Sequence, residues 1–321
     1  MSGVLLGIDL GGTNTKIAVI TREGEVLRRA SRPTPISVPP AAILDFLCAF
    51  AKDVVGEAEI LLENVSAVGV GAPGPLDWRT GLVYTFTNFR GWENVSLADE
   101  IQTRLKGIPC FVENDANAAC YGEYWLGAGK GARNMALLTL GTGVGGGIVL
   151  NGELLRGIDG TAGEIGHMIV ERDGRECGCG ARGCLEAYGS VTGMVQTACE
   201  GLERGEVSGL MDACAGDVNA ITGQMISECA ESGDPFCAEV IRETGKWLGA
   251  GIVGLTNLFN PERIVLAGGM VRAGDRLLKV IRETVRADAL DVPAERVEIL
   301  PAALGDDAGV IGAAGCALAR L

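Results

Sequence analysis

Leu6-Gly7-Ile8-Asp9-Leu10-Gly11-Gly12-Thr13 lies almost at the start of this 321-residue chain, and its pattern returns as Leu138-Thr139-Leu140-Gly141-Thr142-Gly143. Each copy is an apolar strand and a Gly/Thr turn, followed by a second apolar strand at 16–20 or at 147–150. Two such loops facing one another across a cleft suit a polyphosphate held by backbone N–H groups and hydroxyls. Neither is a Walker loop: no G-x-x-x-x-G-K-[ST] occurs, and a strand rather than a helix follows each turn. A tight hairpin without a ligand is the lesser alternative for either loop alone. Two related loops in one chain favour the phosphate reading.

Outward from these loops, β-branched apolar runs predict strands at 5–9, 16–21, 67–71, 110–112, 135–140, 147–150, 263–266 and 297–300. Helical periodicity fits 41–63, 97–105, 116–126, 185–203, 219–232, 234–259, 275–287 and 308–319, with Asp306-Asp307 placed to cap the last. Strands and helices mixed at this spacing define an α/β protein. The halves are expected to meet near Asp115–Ala119, with the C-terminal helix returning to the N-terminal half.

The segment Gly163 to Glu186, GEIGHMIVERDGRECGCGARGCLE, holds the one histidine of the chain, His167, and a tight cluster of Cys177, Cys179 and Cys184. One imidazole and three thiolates complete a tetrahedral Zn²⁺ set, and four protein ligands make such a site structural. Gly180 and Gly183 stand where the backbone must turn around a metal. Glu164 and Glu186 bracket the ligands, so a metal would pin both carboxylates. The bland alternative is a group of small hydrophobes, which is how the eight scattered cysteines (48, 110, 120, 199, 214, 229, 237 and 316) are read. A surround of Gly and Arg cannot build a core, which favours the metal.

No apolar run reaches membrane-spanning length, and the N-terminus lacks a basic-then-apolar export pattern. Eleven cysteines without a disulfide framework favour a reducing cytoplasm. A formal charge of −14 argues against a nucleic-acid partner. The 49 glycines gather in short runs at the ends of apolar segments, as turns closely approached by a ligand would require.

Taken together, DLGGTNTK (9–16), GVGAPGPLD (69–77), ENDANAA (113–119), LTLGTGVGGG (138–147), GTAGEIGH (160–167), CGCGARGCLE (177–186), NPERIVLAGG (260–269) and LGDDAGVIGAA (304–314) resemble the ROK family of bacterial sugar kinases and repressors. The resemblance covers nearly the whole chain. It implies an actin-like ATPase (ribonuclease H-like) fold of two α/β domains around a deep cleft, one formed by 1–117 plus 306–321, the other by 118–305 with the zinc loop. ATP is then expected between the two glycine-rich hairpins, and the sugar at the cleft floor.

The resemblance also assigns roles. Asp115 becomes the catalytic base, in a place where the helix that follows favours its charged form; a simple N-cap is the alternative. Asn88 and Asn114 resemble amides that bind sugar hydroxyls, and Glu164, His167 and Glu186 the remaining sugar contacts, His167 meeting zinc through its other nitrogen. Gly74 either lets the backbone approach the sugar or makes a turn. On the nucleotide side stand Gly11, Gly12, Thr13, Asn14, Lys16, Thr142 and Gly143, with Gly268 and Gly269 at the nucleoside end and Asp9 placing Mg²⁺ through water. Trp92 is read either as a sugar platform or as core.

The expected activity is ATP-dependent phosphorylation of a hexose primary hydroxyl. Glucose comes first because TNF-x-GW (87–92), GEIGH and GCLE are similar to the glucose-phosphorylating members of the family. N-acetylmannosamine and N-acetylglucosamine are the rival acceptors. A sugar-sensing regulator is the rival of another class, but such regulators carry a helix-turn-helix domain ahead of the kinase-like body, and here DLGGT begins near residue 1. The resemblance further implies a homodimer or homotetramer.

Overall fold

The computed structural model describes residues 3–86, 89–272 and 275–321. In chain order come β1 (Val4–Leu10), β2 (Asn14–Ile20), β3 (Val26–Pro33), α1 (Pro40–Glu57), β4 (Val65–Ala72), β5 (Leu76–Asp77), β6 (Leu82–Thr85), β7 (Glu93–Ser96), α2 (Leu97–Arg104), β8 (Cys110–Asn114) and α3 (Asp115–Trp125). There follow β9 (Met135–Leu140), β10 (Val144–Leu150), β11 (Glu153–Leu154), α4 (Glu186–Gly189), α5 (Val191–Glu203), α6 (Leu210–Ala213), α7 (Gly223–Glu231) and α8 (Pro235–Phe259). The chain closes with β12 (Arg263–Ala267), α9 (Gly269–Arg272), α10 (Asp275–Asp288), α11 (Asp291–Arg296), β13 (Glu298–Pro301) and α12 (Ala308–Leu318). Contacts divide it into two compact units, Met1–Gly131 with Gly147–Gly163 and Ala303–Leu321, and Ala132–Gly146 with Glu164–Ala302.

The first unit is built on a sheet ordered β3-β2-β1-β4-β8. β1 runs antiparallel to β2 and parallel to β4, with β8 parallel beyond. Because side chains alternate across a strand, β1 buries both faces. Leu6, Ile8 and Leu10 join the core under α1, and Leu5 joins Val310 and Ala314 of α12 on the other face. Asp9 shares the Leu5 face, where a Cβ on Gly309 would stand 2.8 Å from its Oδ2.

Helix α12 is rich in Gly and Ala because it lies against the sheet and α3 almost backbone to backbone. A Cβ on Gly69 of β4 would stand 1.8 Å from the Ala313 carbonyl oxygen. Fully buried Glu123 of α3 ties the chain entering α12: its carboxylate accepts from Ala303 N at 3.0 Å, Leu304 N at 2.7 Å and Ala128 N at 2.8 Å. Three backbone donors offset the burial of that charge.

The second five-stranded sheet is ordered β11-β10-β9-β12-β13, with β9, β12 and β13 parallel. In the second unit the 25-residue α8 starts at an Asp234 cap followed by Pro235, and ends at left-handed Asn260.

Four sequence expectations are corrected. Strand β3 is absent from the expected set. The expected helix 185–203 breaks at Ser190, whose extended backbone lets its hydroxyl cap α5 through Gly193 N. The helix expected over 41–63 stops at Glu57, and left-handed Glu59 turns the chain away. Asp307 precedes α12 but makes no side-chain cap; it pairs with Arg29 of β3 instead.

Candidate active site

In the first unit the β1–β2 turn is Gly11 to Thr13. Gly11 N donates to Asn14 O at 3.2 Å, and Thr34 braces the turn by donating through Oγ1 to Gly11 O at 2.7 Å. Thr13 and Asn14 are exposed, while Gly11, Gly12 and Lys16 are half-buried. Lys16 Nζ donates to Asp306 O. Asp9 lies opposite Lys16 across the hairpin. Burial pushes the Asp9 carboxyl up to about 6; Lys16 opposes this and the charge of Asp115 adds to it.

Asp115 begins α3 directly after β8. The cap of α3 is Asn114, whose side chain accepts from Ala116 N at 3.0 Å and Asn117 N at 3.1 Å. Asp115 is exposed, and its Oδ1 accepts from Ala116 N at 2.8 Å. Asp115 thus stands in the first turn of α3 without serving as its cap. Gly74 is close by: a Cβ there would stand 3.5 Å from Asn114 Nδ2. Asn88 lies outside the described residues. Trp92 is 1% exposed, packed on Phe86 and Phe89, and is core.

Sequence reasoning missed the support beneath Asp115. Buried Glu113 accepts from Asn114 N at 3.2 Å and Asn117 Nδ2 at 3.3 Å through one oxygen, and from Arg156 Nε at 2.7 Å through the other. Arg156 stacks 4.5 Å over the Trp78 ring. This pairing compensates a buried charge beside Asp115.

In the second unit the β9–β10 turn, Gly141 to Gly143, is fixed by its neighbours. Val191 N donates to Gly141 O at 2.9 Å, and Thr192 Oγ1 donates to Thr142 O at 2.8 Å. With those carbonyls engaged and Gly141 N donating to Gly143 O at 3.0 Å, the turn can meet an anion with the amides of Thr142 and Gly143. A cavity of about 450 Å³ is lined by this turn together with Glu164, His167, Glu186 and Gly268. Gly268 has φ +99°, and a Cβ there would stand 2.2 Å from Leu140 O, so only glycine fits. Beyond it, a larger cavity of about 710 Å³ is lined by Met194, Gly223, Ser227, Gly269, Met270 and Arg276 among others.

The metal-type cluster assembles beside the smaller cavity. The donor atoms of His167, Cys177, Cys179 and Cys184 all lie within 4.8 Å of one another. Cys177 Sγ is 3.8 Å from His167 Nδ1, and Cys179 Sγ is 3.7 Å from Cys184 Sγ. Thiolates about 2.3 Å from one tetrahedral ion stand roughly 3.8 Å apart, so the donor set fits such an ion in size as well as in chemistry. Gly180 and Gly183 take φ +89° and +79°, as the turns require. Arg175, unremarked in the sequence, holds the loop in place: it donates to Thr197 Oγ1 at 3.0 Å and to Glu200 Oε2 at 2.6 Å, and its backbone N donates to Tyr188 Oη at 2.7 Å.

Two glycine/threonine hairpins, a carboxylate at a strand-to-helix junction and a His/Cys₃ loop bracketed by glutamates are the features of a sugar-kinase-type α/β protein. The pattern that defines the ROK family matches residues 5–320, and the chain belongs to that family. Its fold is the actin-like ATPase fold of ROK kinases. It is 41% identical over 310 residues to a glucokinase of Halalkalibacterium halodurans, covering 96% of this chain and 92% of that one. It is 36% identical to a glucokinase of Thermotoga maritima, over 99% of this chain and 98% of that one. A ROK family glucokinase from Streptomyces griseus, solved in complex with glucose and AMPPNP, superposes with a TM-score of 0.77 at 37% identity, over 98% of this chain and 99% of that one.

Proposed function

We propose that this protein transfers the γ-phosphoryl group of ATP to the primary hydroxyl of glucose, giving glucose 6-phosphate and ADP. The observation that carries the reading is the division of labour at 114–115: Asn114 caps the helix, and Asp115 stands exposed beside it. Relatives named glucokinase at 36–41% identity, and the glucose and AMPPNP bound by the Streptomyces protein, support the same reaction.

In this mechanism Asp115 accepts the proton of the primary hydroxyl as that oxygen attacks the γ-phosphorus. The bond to the bridging oxygen breaks, and its electron pair leaves with ADP. Asn88 and Asn114 bind the hydroxyls nearer the base. Glu164, Glu186 and the Nε2 of His167 bind the others, and Gly74 leaves room for the ring. Gly11, Gly12, Thr13, Asn14, Lys16, Thr142 and Gly143 hold the phosphates, while Gly268, in the lining of the smaller cavity, and Gly269, in that of the 710 Å³ cavity, stand at the nucleoside end. Asp9 would help place Mg²⁺ through water, with the phosphates as the main ligands, and the cation would supply charge neutralisation there. His167, Cys177, Cys179 and Cys184 hold a structural Zn²⁺, which supplies rigidity to the loop. The same reading makes the enzyme a cytoplasmic homodimer or homotetramer that binds neither nucleic acid nor membrane; no described helix is long and apolar enough to cross one.

A coupled ADP-release assay over a panel of hexoses and N-acetylhexosamines tests the proposal. Glucose is expected to give the highest kcat/KM, because a site built to pair a hydroxyl rejects an analogue lacking it by roughly 10⁴-fold. An N-acetyl sugar outrunning glucose overturns the acceptor assignment. Asp115→Asn should lose about 10²–10⁴-fold in kcat while still binding glucose. Near-normal turnover in that variant removes Asp115 from the mechanism.

A further inference from the structure

Glu186 is bracketed by two different kinds of chemistry. Its Oε2 accepts from Val144 N at 2.9 Å, at the point where the Gly141–Gly143 turn re-enters β10. A Cβ on Gly143 would stand 2.3 Å from that same oxygen, so the turn and the carboxylate are packed against each other. The other oxygen, Oε1, lies 3.5 Å from Cys177 Sγ in the metal-type cluster. Two residues downstream of α4, the start of α5 holds the far side of the turn through Val191 N and Thr192 Oγ1. The turn is therefore clamped on one side by backbone and hydroxyl groups of α5, and on the other by one carboxylate that also reaches the cysteine loop.

We propose that Glu186 is a positioning residue for the donor phosphates: it holds the Gly141–Val144 turn in its anion-binding shape and so ties ATP affinity to the cysteine loop. This rests on the kinase reading above and assigns a sugar-side residue a second, nucleotide-side task. A hydrogen bond from a backbone N–H to a carboxylate is stronger than a neutral one. Without it, the Val144 end of the turn loses its fixed partner, and amides that must converge on a phosphate are left to find their arrangement during binding.

The test measures binding of a non-hydrolysable ATP analogue in the absence of sugar, beside the separate KM values for ATP and glucose. Glu186→Ala is expected to weaken the analogue about tenfold or more, since a charge-assisted hydrogen bond is lost. Glu186→Gln keeps an acceptor for Val144 N and should stay within about threefold. Glu186→Asp, one methylene shorter, serves as the loss variant should the alanine protein not fold. Gly143→Ala weakens binding in the native background, and its penalty should shrink in the Glu186→Ala background because the two groups are in contact. Metal content is measured in each variant so that loss of the ion is not mistaken for loss of the clamp. Analogue binding within twofold of the native protein in Glu186→Ala, with only the glucose KM raised, overturns the proposal, as does strict additivity with Gly143→Ala. A native protein that binds the analogue but phosphorylates no glucose sinks the glucose reading and leaves this inference standing.

Discussion

A carboxyl group pushed up to about 6 by burial is an unusual thing for a sheet to keep, and Asp9 is held there between Gly309 and the charges of Lys16 and Asp115. The sign of its effect on stability follows from that direction. The folded state binds the proton more tightly than the unfolded chain, so the contribution is fully present below the unfolded value near 3.8 and is lost as pH rises through about 6. A shift of roughly two pKa units corresponds to at most about 3 kcal/mol. Without nucleotide or Mg²⁺, Asp9→Asn should therefore match the native protein near pH 4 and exceed it by up to about 3 kcal/mol near pH 7.5. Urea unfolding of both proteins across that range measures the difference; one that does not change with pH removes Asp9 as its source. The same variant should lose activity, because the charge that destabilises the empty protein is the one a cation at the phosphates would use. Asp9 stood out in the sequence at the end of the strand that leads into the first Gly/Thr turn. Its cost was not, since Gly309, which packs close against its carboxylate, is 300 positions away along the chain.

Among elements, those read correctly from the sequence were ones whose signal is local. The β1–β2 and β9–β10 hairpins are apolar runs around a Gly/Thr turn, and α8 has its Asp-Pro start. Strand β3 escaped because it is an edge strand, VLRRASRP, whose arginines face outward to Glu57, Asp53 and Asp307 and leave no alternation. The break at Ser190 escaped because apolar periodicity runs on through it. Arg156 with Glu113 and Glu186 with Val144 were invisible for another reason: their partners are 43 and 42 residues apart. Helix α12 shows what its composition is for. Gly69→Ala would place a methyl group 1.8 Å from a carbonyl oxygen fixed in α12, with backbone on both sides and no side chain able to yield. A loss of more than about 3 kcal/mol is expected. Gly254→Ala, on an exposed turn of α8 with nothing within 4 Å, should instead gain about 0.5–1 kcal/mol. Chemical denaturation of the pair checks both signs, and similar small effects at the two sites would mean that α12 does not lie against β4 as described.

For the whole molecule, both units bury an apolar core, and the second also carries an irregular loop. The first has an extensive apolar core beneath α1 and a second one around α12. The second contains the cysteine loop, an irregular stretch between the turn at Ile165–His167 and α4 with only two isolated strand bridges, Ile169 with Cys184 and Glu176 with Arg182. Chain entropy works against ordering such a stretch at about 1–2 kcal/mol per residue. Arg175 and the loop's backbone hydrogen bonds offset part of that, and under the proposed function a metal ion at the cluster would offset more. A ligand present at 1,000 times its dissociation constant adds about 4 kcal/mol to the folded state, so stripping a tightly held ion should cost at least that. For a unit of this size each kcal/mol moves the midpoint by about 2–4 °C, giving a fall on the order of 10 °C. Hydrogen exchange read by segment should show protection lost first at the loop and at α4 and α5, while β1, β4 and α12 keep theirs. Glucose affinity should fall with the metal, because Glu164 and Glu186 flank its ligands. Well under one zinc per chain in native, unchelated protein would defeat the metal assignment, and full protection of the loop after verified removal would defeat its structural role.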